Sequence, residues 1–158
     1  MAYNSIIVKC YTKVQEEYTA TAVAITPGML LELTSSGTVQ AHSGGSSACG
    51  GEVTLPMFAL EDELQGRGIA TDYAVSTKVQ CWIPRRGDIV QALLADGEIA
   101  VIGSFLESNG AGALQVYTED DPSVQQWPSN IVGIALEALD ISSSANETNL
   151  GRILVRIM

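Results

Sequence analysis

The chain has 158 residues, 46% of them hydrophobic, and its eight Lys and Arg stand against eighteen Asp and Glu for a formal net charge of −10. A chain of this length is most simply one domain that buries roughly 68–70% of its unfolded surface, so composition excludes disorder and a core needs no staples. Scattered cations on so acidic a chain argue against a phosphate-binding surface, and no stretch approaches the ~20 apolar residues of a membrane span, so neither nucleic acid nor membrane is an expected partner. Met1 to Thr12 lacks the basic start and long apolar centre of a signal peptide, so synthesis and folding in a cytoplasm are expected. Cys10, Cys49 and Cys81 lie far apart, which predicts reduced and mostly structural thiols.

In chain order, Ser5 to Thr12 is short and β-prone, with Tyr3, Tyr11 and Tyr18 spaced along it. It admits two readings: an ordinary first strand, or an arm that pairs with the sheet edge of a partner. Pro27-Gly28 turns the chain into Met29–Thr34, and Ser35-Ser36-Gly37 reverses it into Thr38–Ala41, a small hairpin. His42 to Gly51, HSGGSSACGG, predicts a flexible loop. Val53 to Leu60 predicts a strand with an edge or a bend at Pro56, and Glu61 to Gln65 a single helical turn stopped by Gly66 and Gly68.

The stretch from Ala74 to Ser108 predicts three strands joined by two tight turns. In the first, Val75, Thr77, Val79, Cys81 and Ile83 alternate with Ser76, Lys78, Gln80 and Trp82. Pro84-Arg85-Arg86-Gly87-Asp88 breaks it, and a new strand begins at Ile89 with the near-continuous apolar run of a strand covered on both faces. Asp96-Gly97 then predicts a hairpin into Glu98–Ile102. Further strands are expected over Ala113–Tyr117, Ile131–Leu139 and Gly151–Met158, the last alternating Ile153, Val155 and Ile157 against Arg152, Leu154 and Arg156, with polar loops over Thr118–Asn130 and Ser142–Asn149. The fold class expected is all-β, a barrel or sandwich with at most one short helix.

Residue by residue, the sequence offers no reaction. His42, the only histidine, sits in a Gly-Ser stretch where nothing nearby in sequence fixes its ring, and Cys49 has no neighbouring cation to hold a thiolate, so an enzyme using both is the last-ranked reading. Glu61-Asp62-Glu63 and Glu119-Asp120-Asp121 lack the alternating oxygen ligands of a calcium loop and predict solvated turns. Asn146-Glu147-Thr148 fits the glycosylation pattern, which carries little without a secretory signal. No cofactor and no metal are expected. The residues singled out as possible subunit or partner contacts are Tyr3, Ile6, Val8, Tyr11, Trp82, Arg85 and Arg86, the two arginines as partners for an acidic patch or a neighbouring subunit.

Several motifs in order resemble a known family. Ile25-Thr26-Pro27-Gly28-Met29-Leu30-Leu31 with its hairpin resembles the entry into the β-tulip domain of tailed-phage head decoration proteins. Phe58-Ala59-Leu60-Glu61 through Gly66-Arg67-Gly68 and Tyr73, then Arg86-Gly87-Asp88-Ile89-Val90 with Ala92-Leu93-Leu94, are similar to phage capsid cement proteins, as are Ile131–Glu137 and Arg152–Arg156. The resemblance covers Ile25 to Met158 and implies a decoration domain over residues 25–158, preceded by a strand or capsid-binding arm over residues 1–24. It implies a homotrimer on the outer surface of a virion, made in the host cytoplasm, that bridges neighbouring major capsid protein subunits and stabilises the expanded shell. The net charge of −10 suits the outside of a head better than its DNA-facing interior. The competing reading is a virion-surface module that recognises a glycan or host protein through the His42–Gly51 and Thr118–Asn130 loops, with Trp127 as its exposed aromatic.

Overall fold

Thirteen short β-strands, and no helix beyond one 3-10 turn, make up the described residues of the computed structural model. Those residues are 3–11, 13–21, 23–44, 55–118, 130–143 and 151–158. The strands are β1 (Ile7–Lys9), β2 (Gln15–Thr19), β3 (Leu30–Leu33), β4 (Val39–Ala41), β5 (Met57–Ala59), β6 (Lys78–Trp82) and β7 (Ile89–Leu93). They continue as β8 (Ile99–Ala100), β9 (Phe105–Ser108), β10 (Leu114–Val116), β11 (Ile131–Ala135), β12 (Leu139–Asp140) and β13 (Arg152–Ile157).

A six-stranded sheet runs in the order β1-β7-β13-β11-β9-β10, a five-stranded sheet in the order β2-β6-β5-β3-β4, and β12 pairs with β8 alone. Every strand pair is antiparallel. The arrangement is sandwich-like, and each large sheet curls only as far as one parallel bridge between distant strands. Leu94 meets Leu114 in the larger sheet, and Ala20 meets Val39 in the smaller.

Period-2 alternation explains where the two cores lie. Leu30, Phe58 and Trp82 of the five-stranded sheet, with Leu60 just after β5, face Val90, Ala92, Leu106, Leu114, Ile153 and Val155 of the six-stranded sheet. The opposite face of the five-stranded sheet carries Leu31, Val39, Met57, Ala59, Val79 and Cys81, packed with Ile25 and Tyr73 inside its curl. The middle of that sheet is therefore buried on both faces, while Glu17 on β2 and Lys78 on β6 stay exposed. Gly28 joins the two sheets: its N–H donates to Ala59 O at 2.8 Å, and its carbonyl accepts from Leu93 N at 3.1 Å. Its φ of 91° and the 2.6 Å that would separate an added Cβ from Arg152 Nη1 leave room for no side chain.

The all-β expectation holds, and so do the hairpin at Gly37, the strand start at Ile89 and the short turn, which runs over Glu63–Gln65 and ends on Gly66 at φ 69°. Four details differ. The strand expected from Val75 begins at Lys78, because Ala74–Thr77 forms a turn with Ser76 at φ 63° and Thr77 Oγ1 donating to Ala74 O at 2.6 Å. Asp96-Gly97 makes a turn and no hairpin, since β8 leaves the sheet to pair with β12. A further turn, with Gly103 at φ 92°, adds a fourth strand to the Ala74–Ser108 stretch. Pro56 precedes an inner strand, β5, and lies on no edge.

The first residues are divided between the sheets: β1 pairs with this chain's own β7, and β2 with β6. No helix among the described residues is long and apolar enough to cross a membrane.

Candidate interaction surface

Asp88 gathers several of the residues expected at a contact surface. Its carboxylate is fully buried; Oδ1 accepts from Tyr11 N at 2.9 Å and Oδ2 from Arg85 N at 2.8 Å. One carboxylate thus closes the Pro84–Asp88 turn and pins the N-terminal segment to it, a pair of charge-assisted bonds that the turn's φ of 94° at Gly87 makes possible. An added Cβ at Gly87 would lie 3.5 Å from Tyr11 Cε2, so the ring covers the turn, and Lys9 Nζ stands 5.3 Å from that ring's centre. Tyr11, Arg85 and Arg86 are exposed. The result is an aromatic and cationic corner on an acidic protein.

From this corner a row of side chains crosses the outer face of the six-stranded sheet. Registers place Lys9 opposite Ile89, Ile89 opposite Arg156, Arg156 opposite Ile134 and Ile134 opposite Phe105. Ile153, Val155 and Ile157 are buried while Arg156 is exposed, which fixes this face as the outer one. Phe105 is 43% exposed, and Val101 and Ile102 in the preceding turn are 58% and 71% exposed. No carboxylate of the described residues pairs with Arg85, Arg86 or Arg156.

The remaining expected contacts divide. Ile6 and Trp82 are fully buried in the core between the sheets, and in this fold they present no surface to a partner. Alternation puts Trp82 on the polar face of its strand, and in the fold that face is covered at Trp82 by the second sheet. Val8 is half-buried, and Tyr3 is exposed. Arg156, Ile134, Phe105 and the buried Asp88 escaped sequence reasoning. Only Arg156 carried a signal, as the outward charge in the alternation of β13.

His42 differs from its expected loop setting. It is buried, and Nδ1 lies 2.9 Å from Oγ of the equally buried Ser108, which also accepts from Gly110 N at 3.1 Å. This pair links the end of β4 to β9 across the sandwich, with the hydroxyl enclosed. Cys81 is buried as well, and desolvation pushes its thiol up to about 12. Cys49, Trp127, Glu119 to Asp121 and Asn146 to Thr148 lie outside the described residues. Among those described, no group of three or more His, Cys, Asp or Glu is placed to hold a metal ion.

Glu107 is a buried acid on the outer face of β9, beside the row's apolar end. Oε1 accepts from Gln115 Nε2 at 3.0 Å, whereas Oε2 has no partner. Burial, opposed by that hydrogen bond and helped by the nearby charge of Glu98, holds its carboxyl above the usual range.

No protein-family model matches the chain, and no curated protein matches it. Among solved structures, the chain is similar to the head fiber gp8.5 N base of bacteriophage phi29, at 15% identity and a TM-score of 0.51, over 93% of this chain and 95% of that one. At that identity the likeness is one of fold, and it extends over essentially the whole of both chains.

Proposed function

We propose that this chain is a structural protein of a phage head: a β-tulip-like decoration or cement protein that binds the outer capsid surface, bridges major capsid protein subunits and stabilises the expanded shell. The observation that carries the reading is the end-to-end likeness to a phage head fiber base, which joins the independent resemblance of the Ile25–Met158 motifs to decoration proteins. Physical features support it. The chain carries a net charge of −10, which favours the outside of a DNA-filled head, and four of its exposed cations, Lys9, Arg85, Arg86 and Arg156, lie at one corner and on the sheet face beside it. In this reading the protein acts as a homotrimer, without cofactor or catalysis, and works by contact area and avidity over several subunits.

The test is binding to expanded heads assembled from the major capsid protein of the same phage. Binding, with greater resistance of the heads to heat, supports the reading. Heads that neither retain the protein nor change their resistance remove it.

A further inference from the structure

We propose that copies of this chain associate head to tail, the exposed Leu64 and Glu63 of one copy seating on the Ile89–Arg156–Ile134–Phe105 row of the next. The inference rests on the self-association in the reading above and names the two surfaces that would meet.

The row sets the chemistry of its occupant. Ile89, Ile134 and Phe105 there flank one exposed cation, Arg156, which has no carboxylate partner among the described residues. Its complement is an apolar knob flanked by acid. A second copy of this chain supplies one.

Leu64 is 91% exposed, a larger fraction than any other exposed large apolar side chain of the described residues, and Glu63 beside it is exposed too. The knob is held rigidly. Asp62 Oδ1 accepts from Gln65 N at 3.3 Å, Gly66 N donates to Glu63 O at 3.1 Å, and Arg67 N donates to Asp62 O at 2.9 Å. A preorganised apolar tip loses little conformational freedom on docking, so its burial is offset by less entropy than a flexible loop would cost.

Knob and row are different patches of one molecule. Glu63 lines a cleft with Ile7, Cys10 and Lys13 at the β1 edge, one strand step from Ile89 on β7 and four, about 19 Å at the usual strand spacing, from Phe105 on β9. Different patches meeting make a heterologous contact, which closes into a ring when the rotation allows. A two-fold contact of row against row is disfavoured, because it would bring the cations of both copies together.

Light scattering and sedimentation equilibrium across a dilution series test this on the full chain. Wild type is compared with Leu64→Asp, Arg156→Glu and the exchanged pair Glu63→Arg with Arg156→Glu, each checked for an unchanged melting temperature. Association at least tenfold weaker in both single variants, recovered to within a few-fold in the exchanged pair, is the expected result. A wild type that stays monomeric overturns the inference and, with it, self-association. Oligomers that persist unchanged in Leu64→Asp and Arg156→Glu overturn only these surfaces. So does a Leu64→Asp protein that keeps its oligomer and loses binding to heads, because the knob's occupant is then the capsid. Should Arg156→Glu fail to fold, Leu64→Asp still decides, since its side chain is 91% exposed and holds no core.

Discussion

The two large sheets are built alike and finished differently. The five-stranded sheet is apolar on both faces: Leu30, Phe58 and Trp82 point one way, and Leu31, Met57, Ala59 and Cys81 the other. The six-stranded sheet buries Val90, Val155 and Leu106 on its inside and leaves Lys9, Arg156 and Phe105 exposed on its outside. One sheet is covered over the middle of both faces, with Glu17 and Lys78 left exposed on β2 and β6, and the other has an outer face that carries the exposed cations Lys9 and Arg156. Scaffold and candidate working surface are separated by a single layer of strands.

The largest effects should come from the doubly covered sheet. Trp82→Ala removes a fully buried indole from between the sheets and should cost about 3–5 kcal/mol, read as a fall in the denaturant midpoint. An alanine at this position that left stability untouched would place Trp82 outside the core. Next comes the junction. Gly28→Ala combines a strained φ of 91° with approaches of 2.6 Å to Arg152 Nη1 and 3.0 Å to Gln91 O, and should cost roughly 2–3 kcal/mol by the same measurement.

Smaller, and confined to the outer face, is the effect of Glu107. Its folded carboxyl sits above the unfolded value, so its contribution is undiminished below the unfolded pKa and is lost as pH rises through the folded one. Glu107→Gln should therefore raise the melting temperature at neutral pH and lose that advantage on acidification through the carboxylate range. A gap between the two proteins that stays constant with pH would contradict the assignment. Smallest in stability are Leu64→Asp and Arg156→Glu, expected within about 0.5 kcal/mol of wild type because both side chains are exposed. Their effect belongs to association.

How much of this was legible in the sequence depended on the range of the interaction. Gly37, Gly66 and Gly87 announced turns because each needs a positive φ, and the alternation over Arg152–Ile157 placed Ile153, Val155 and Ile157 inside without reference to the rest of the chain. Ser76 takes a positive φ with no glycine to signal it, so alternation starts the strand at Val75 while β6 begins at Lys78. Alternation also separates two faces without saying whether the second is covered, which is why it offers Trp82 as a contact although the indole lies in the core. Asp96-Gly97 specified a turn but not the partner of the strand after it, and β12 lies some forty residues on. His42 and Ser108, 66 residues apart, pair only once both sheets exist. The outer row is the extreme case, since its five residues come from five strands and meet only through registers that the whole sheet sets.

The most direct measurement of the proposed function is co-sedimentation of the purified protein with expanded phage heads, followed by the temperature at which those heads disrupt. A head structural protein should travel with the shells to a saturating stoichiometry and raise that temperature. Folded protein that remains in the supernatant, with heads disrupting where they did before, would contradict it.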